Sequence, residues 1–85
     1  MDISEYNSRK VFTDGNLSIE AKGLYGTLHA IQNGTRTSVN ISKVAQQAGI
    51  STASAQTLMN ELVKRGHVGK DNTANSLAKI TNKYY

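Results

Sequence analysis

The segment from Asn40 to Gly66 reads N-I-S-K-V-A-Q-Q-A-G-I-S-T-A-S-A-Q-T-L-M-N-E-L-V-K-R-G. Its apolar residues recur at helical spacing and predict two helices, each with one apolar face, over residues 41–48 and 52–65. Gly49 stands where the first helix ends, and glycine readily adopts the left-handed conformation that ends a helix. Ser51 is a suitable N-cap for the second helix. Ile50 is predicted to close the tight turn between them as a buried apolar residue.

A further helix is predicted upstream, over residues 19–32. Ser18 is a fair N-cap, and Asn33-Gly34 is a clear stop signal. Five apolar residues share its predicted inner face: Ala21, Leu24, Tyr25, Leu28 and Ile31. Gly23 and Gly26 lie inside this helix, where each should cost about 1 kcal/mol relative to alanine. We expect another backbone to approach these glycines closely, from the same domain or from a second copy of the chain.

After Gly66 the sequence changes to short polar segments with turn residues. It predicts a strand over residues 67–70, a polar tip over residues 71–75 and a return strand over residues 77–81. Residues 37–39 can add a short strand before the second helix. The predicted class is α+β, mainly α with a small β-hairpin: three helices and a two- to three-stranded ribbon.

The motif A-x-x-A-G-I-S-x-x-x-A-x-x-L-M-x-E-L-x-x-R-G-H-V, from Ala45 to Val68, resembles the winged helix-turn-helix domain of MarR-type regulators and of plasmid and phage replication proteins. The stretch L-S-I-E-A-K-G-L-Y-G-T-L, from Leu17 to Leu28, is similar to the opening helix of phage and plasmid replication-initiator modules. The similarity extends over residues 17–81. It implies a winged helix-turn-helix fold with its wing at residues 67–81, and it implies DNA binding.

In helix-turn-helix proteins the N-terminal part of the second helix reaches base edges in the major groove. The corresponding residues here are hydroxyls and amides that we expect to read bases: Thr52, Ser54, Gln56, Thr57 and Asn60. Glutamine and asparagine can make bidentate contacts to adenine. No Arg or Lys lies between Ile50 and Leu62, although arginine to guanine is the commonest specific contact.

Positive charge lies on both sides of this neutral helix. We expect phosphate contacts from Arg36, Lys43, Ser51, Lys64 and Arg65. We expect wing contacts in a minor groove from Lys70, Asn72, Thr73, Asn75 and Lys79. Two modes of DNA recognition stay open. Either the second helix reads the base sequence while the cations bind the DNA phosphate backbone, or the wing provides much of the sequence specificity.

Composition restricts the remaining possibilities. The 85 residues suit one domain, predicted at residues 17–85 behind an N-terminal arm of residues 1–16 whose Val11 and Phe12 pack on the first helix. The net charge of +4 favours a polyanionic partner. Without cysteine there is no disulfide or thiolate site. No apolar run approaches the ~20 residues of a membrane span, and no signal peptide is evident, so we expect a cytoplasmic protein.

The sequence has no paired carboxylates, no Ser-His-Asp set and no phosphate-binding glycine loop. We therefore expect neither an enzyme nor a bound cofactor or metal, and we assign no chemical role to His29 or His67. Neither histidine has an acidic residue or a second histidine at metal-ligand spacing in the sequence.

The expected function is sequence-specific binding of double-stranded DNA. A small regulator or an origin-binding accessory protein of a plasmid or phage, in transcription, replication or conjugative transfer, would use the same contacts. One such domain reads about 5–8 base pairs, which argues for a homodimer or paired copies on DNA. A relaxase or a replication protein is a possible partner. The alternative is a protein-docking winged-helix module within a replication or transfer complex, because a neutral recognition face also suits protein binding.

Overall fold

A short helical stretch, three longer helices and three strands follow one another in the described part of the chain. The computed structural model describes residues 10–74 and 80–85. Residues 10–12 are helical. The longer helices are α1 (Ile19–Gln32), α2 (Ile41–Ala48) and α3 (Thr52–Lys64). The strands are β1 (Val39–Asn40), β2 (Lys70–Ala74) and β3 (Ile80–Tyr84). The predicted α+β class is confirmed.

Helices α1 and α3 begin at the predicted N-caps Ser18 and Ser51, and α2 begins after Asn40. The side chains of Ser18, Asn40 and Ser51 each accept a backbone N–H from the first turn that follows. Gly49 ends α2 with a φ of 74°, a conformation that a residue without Cβ adopts at little cost. Helices α1 and α2 have the predicted bounds, and α3 ends at Lys64, one residue before the predicted end.

The core lies between the helices and the sheet. The largest fully buried side chains are Val11, Leu28, Val44, Met59, Leu62 and Tyr84. The predicted inner face of α1 is confirmed at Ala21, Leu24, Tyr25 and Leu28, while Ile31 is partly buried. The N-terminal segment joins this core as expected, because Val11 is buried and the Phe12 ring meets the Tyr25 ring edge-on at 6.0 Å.

The three strands form one antiparallel sheet in the order β1-β3-β2. Tyr84 in the central strand is opposite Val39 on one side and Lys70 on the other. Strand β1 comprises residues 39–40, so it starts later than the predicted 37–39. It leads directly into α2, since Asn40 is both its last residue and the N-cap of that helix.

The hairpin differs from the predicted one. The strand predicted over residues 67–70 is right only at its end: the N–H groups of Gly66 and His67 still bond to carbonyls of α3, whereas Gly69 exchanges two backbone hydrogen bonds with Tyr85 and β2 begins at Lys70. Residues 71–74, predicted as part of the tip, belong to β2, and β3 continues to Tyr84 beyond the predicted end at residue 81. Residues 75–79, with the predicted start of the return strand, lie outside the described residues.

Within the described ranges, no helix is both long enough and apolar enough to cross a membrane.

The Tyr84 hydroxyl is buried without a hydrogen-bond partner in the described part of the chain. Burial raises the pKa of this hydroxyl, because the ionised form loses its hydration. Tyr84→Phe is therefore expected to raise the free energy of unfolding by about 0.5–1.5 kcal/mol, since an unsatisfied buried polar group is removed. Urea denaturation measures this. Tyr85→Phe, at a half-exposed ring, is the control with no expected change, and a destabilised Tyr84→Phe would contradict the prediction.

Candidate nucleic-acid interface

Helix α3 exposes one side along its length. Its four most outward residues follow one another at spacings of four, three and four and are all exposed: Ala53, Thr57, Asn60 and Lys64. We call this set the α3 stripe. The opposite side of the helix is buried in the core through Ala55, Met59 and Leu62. The α3 stripe is therefore presented to solvent by the same amphipathic pattern that fixes the helix to the domain.

The predicted base-reading residues lie on and around this stripe. Thr57 and Asn60 belong to it. At about 100° per residue, Thr52 and Gln56 flank it on one side and Ser54 lies on the other. Thr57, Asn60 and Gln56 are thus nearest to one surface, while Thr52 and Ser54 lie farther round the helix, and Ser54 borders a groove described below.

Two of the predicted hydroxyls already have partners. Thr57 donates to the carbonyl of Ala53 at 3.1 Å, within its own helix. Ser54 accepts a hydrogen bond from the Ser51 hydroxyl at 2.9 Å, so both serines serve the N-terminus of α3. The two amide side chains of the predicted set make no hydrogen bond among the described residues, which leaves both ends of each amide for a ligand.

Three exposed lysines lie on three different elements of the domain. Lys43 lies on α2, Lys64 ends the α3 stripe and Lys70 begins β2. None of these three forms an ion pair within residues 10–74 and 80–85. Arg36, in the loop before β1, is exposed and its guanidinium lies 5.7 Å from the centroid of the Tyr85 ring. These four cations thus come from different segments of the chain.

The predicted wing residues are described only in part. Lys70 is exposed at the start of β2. Asn72 and Thr73 have their backbone in β2, opposite residues of β3. Asn75 and Lys79 lie outside the described residues.

The hairpin also has charged residues that the sequence analysis did not single out. Lys83 on β3 is opposite Asp71 on β2, an opposite-charge pair of the kind that stabilises neighbouring strands. The hydroxyl of Ser38 lies 3.4 Å from a carboxylate oxygen of Asp71. Lys83 was missed because its strand was predicted to end at residue 81.

Arg65 differs from the other cations because it is paired inside the fold. Its Nε donates to Oδ2 of Asp14 at 3.0 Å and its Nη2 to Oδ1 at 3.3 Å. His67 Nε2 lies 2.8 Å from the same Oδ2. These contacts, His67 first and Arg65 second, hold the pKa of Asp14 far below its usual range, because they stabilise the carboxylate. The phosphate contact predicted for Arg65 would thus have to share its guanidinium with Asp14.

This cluster is not visible in the sequence. His67 has no acidic partner nearby in the sequence, because Asp14 lies 53 residues earlier in the chain and reaches the end of α3 only through the fold. The D-G-N turn containing Asp14 and the glycine-ended helix before His67 are both visible in the sequence, yet nothing local connects them. The correction is that His67 has an acidic partner and a structural role.

Asp14→Asn is expected to make folding less sensitive to acid. The lowered pKa means that the Asp14 carboxylate stabilises the folded state above its usual pKa near 4, and that this contribution is lost as the pH falls through the folded value. The free energy of unfolding should thus fall less in Asp14→Asn than in wild type between about pH 5 and pH 2. Urea titrations at each pH measure it, with exposed Glu20→Gln as control. If the free energy of unfolding fell equally with pH in wild type and in Asp14→Asn, the expectation would be refuted.

Glu61 is the only acidic residue of α3, and it points away from the α3 stripe. Its Oε1 accepts the Ser18 N–H at 2.7 Å and its Oε2 accepts the Ser18 hydroxyl at 3.1 Å. This carboxylate thereby satisfies donors at the start of α1 and fixes α1 against α3. The arrangement also keeps negative charge off the exposed side of α3.

An open groove of about 470 Å³ lies between α1 and the turn that joins α2 to α3. Its apolar lining includes Leu24, Ala48, Ile50 and Leu58. The prediction that Ile50 is buried is wrong, since it is 37% exposed at this groove. The close approach expected at Gly23 and Gly26 is also not found within the described part of the domain, because a Cβ at either would meet no atom within 4 Å.

Comparison of the chain with protein-family models, curated proteins and solved structures finds no match among them. Function is therefore inferred from the geometry of α3, its surrounding cations and the hairpin.

Proposed function

We propose that this protein is a winged helix-turn-helix protein that binds double-stranded DNA in a sequence-specific way. The element order α1-β1-α2-α3-β2-β3 supports this assignment, as does the sheet in which β1 pairs with β3. In this proposal α2 and α3 are the helix-turn-helix, and the β2–β3 hairpin is the wing. Helix α3 enters the major groove and the wing contacts an adjacent minor groove.

The observation that carries the proposal is the exposed side of α3. A helix of about 10–12 Å diameter fits the major groove of B-DNA. The α3 stripe offers Asn60, with Gln56 beside it, and these amides suit the donor and acceptor pair of adenine. Ala53, which the sequence analysis did not single out, is small and apolar and suits contact with a thymine methyl group.

In this proposal the cations and the uncharged side chains of α3 have different roles. Phosphate contacts position a protein on DNA, and contacts to base edges specify the sequence. Lys43, Lys64 and Lys70 supply the first kind, and the amides of α3 supply the second. Lys83 adds a cation to the wing. Because α3 has no arginine for guanine, we propose mixed readout in which the wing contributes a substantial share.

The biological role that fits best is a small cytoplasmic DNA binder without catalytic activity. We propose a regulator or an origin-binding accessory protein, in replication or conjugative transfer, of a plasmid or phage. Its partners would be a second copy on DNA and a relaxase or replication protein. Two copies are favoured because a single domain reads too few base pairs for specificity at about 1–3 kcal/mol per mismatch.

Selection from random-sequence duplexes at about 50 and 200 mM salt tests the proposal, because phosphate contacts make DNA binding depend steeply on salt. A recovered motif that persists at the higher salt is expected. An inverted repeat would indicate a two-fold dimer, and direct repeats would indicate copies side by side. Binding without any enriched sequence, lost at the higher salt, would contradict sequence-specific recognition.

Protein docking is the second candidate function. The open apolar groove beside the turn favours it, since exposed apolar surface of this kind often belongs to protein interfaces. For a docking module we expect DNA binding to depend only weakly on salt and the selection to enrich no DNA motif. The same selection therefore separates the two candidates.

A further inference from the structure

Asp14 holds Arg65 by one edge of the guanidinium. The edge formed by Nε and Nη2 donates two hydrogen bonds to the carboxylate. A guanidinium has five N–H donors in a planar fork, so three of them, two on Nη1 and one on Nη2, are left for another acceptor. The Arg65 side chain is 43% exposed, so another acceptor can approach it from solvent.

Asp14 is itself fixed in place. Its side chain is only 9% exposed, and it accepts the Asn16 N–H at 3.0 Å besides its contacts to Arg65 and His67. Its backbone N–H bonds to the Val11 carbonyl, and its own carbonyl accepts the Leu17 N–H. Because Arg65 is hydrogen-bonded to a carboxylate that is itself held in place, its side chain has lost much of its rotamer freedom before any ligand binds.

Arg65 is the C-cap of α3 and lies to one side of the α3 stripe. It directly follows Lys64, the last residue of the α3 stripe, and is turned by about 100° around the helix axis. When a helix lies in the major groove, the N-terminal part of its central stripe faces the bases, and its flanks and C-terminal end lie nearer the phosphate backbones. The free edge of Arg65 is thus on a flank of α3.

We propose that Asp14 is a positioning residue, which presents the free edge of Arg65 to a DNA phosphate. This inference rests on the DNA-binding function proposed above. Charge alone predicts the opposite effect of Asp14, because a carboxylate near the interface repels DNA and its removal should tighten binding. Orientation predicts that removal weakens binding, because a freed arginine must be ordered again on the phosphate. The sign of the change therefore decides between the two.

The test measures affinity for a duplex from the random-sequence selection over a range of salt, using wild type, D14N, R65Q and the double variant. We expect D14N and R65Q each to bind about three- to tenfold more weakly, a loss typical of one charged contact. The slope of log affinity against log salt should fall by about one in R65Q, which removes the charge, and should stay near the wild-type slope in D14N, where the arginine still reaches the phosphate. The double variant should bind no more weakly than R65Q alone, since without Arg65 there is no guanidinium for Asp14 to orient.

Two further variants keep the result interpretable. E20Q removes an exposed carboxylate of α1 that forms no ion pair within the described residues, so it should bind as tightly as wild type or more tightly. R65K keeps the charge but loses the fork that Asp14 orients, so it should resemble D14N even if D14N is too unstable to assay. Thermal melting establishes that each variant is folded at the assay temperature.

The outcomes are distinct. Binding by D14N that equals or exceeds wild type, or R65K that equals wild type, would overturn the positioning role while leaving DNA binding intact. A wild-type protein that binds no duplex would remove the proposed function and this inference together.

Discussion

Replacing Gln56 and Asn60 together with alanine is expected to weaken binding to the selected DNA sequence by about 30-fold or more, because each good bidentate base contact contributes about 1–3 kcal/mol of discrimination. Both side chains are on or beside the α3 stripe, and neither has an internal partner in the described part of the chain. The substitutions remove no charge. Binding to unrelated DNA and the salt slope should therefore stay unchanged, which separates lost readout from lost attraction.

The matched control is the pair Gln46 and Gln47, two exposed amides on α2. Their double alanine variant removes the same chemistry from a helix that is not expected to read bases, and we expect a small effect. Fluorescence anisotropy with specific and scrambled duplexes measures both variants. If Gln56 and Asn60 can be replaced without loss of sequence preference, specificity would have to come from the wing.

Leu62→Ala is expected to lower the free energy of unfolding by about 2–5 kcal/mol, the range for truncating a buried leucine. Leu62 is fully buried on the side of α3 that packs against α1 and α2. Total stabilities of about 5–15 kcal/mol are usual for domains, and one of 85 residues has a small core, so the variant should be close to unfolded at 37 °C.

Val63→Ala is the control for this substitution. Val63 is the next residue of the same helix, but it is only partly buried, so its truncation should cost less than that of Leu62. Urea denaturation followed by circular dichroism measures both. Equal losses for the two variants would mean that the core is not organised around the buried side of α3.

The helices could be predicted from the sequence because each combines an apolar period with its own end signals. Ser18, Asn40 and Ser51 act within one turn of the chain, and Gly49 acts through its own backbone angle. Such signals are local, so they are readable without knowing the fold. The orientation of the α3 stripe followed from the same period, which is why Thr57 and Asn60 share its exposed surface.

The hairpin could not be predicted to the same accuracy. Its strands, K-D-N-T-A and I-T-N-K-Y, have few apolar residues, so the sequence gives no strong indication of register. The end of α3 also continues into the segment predicted as strand, because Gly66 and His67 still satisfy helix carbonyls. Tyr84, which is buried, lies beyond the predicted return strand.

The Asp14 cluster shows a second limit. Arg65 was predicted as a phosphate contact from its charge and its place after α3, and both observations hold. Its partner comes from a turn 51 residues earlier, which no local pattern indicates. Long-range pairing of this kind decides whether a cation is free or oriented, so charge counts from sequence overestimate how many cations act independently.

The pairing of β1 with β3 has a consequence for the order of folding. Val39 meets Tyr84, 45 residues later, so closing the sheet requires a large loop to be ordered first. The contacts between α2 and α3 span far fewer residues and can form early. We therefore expect a transition state with the helix pair largely assembled and the sheet still open, so that weakening the sheet accelerates unfolding more than it slows folding.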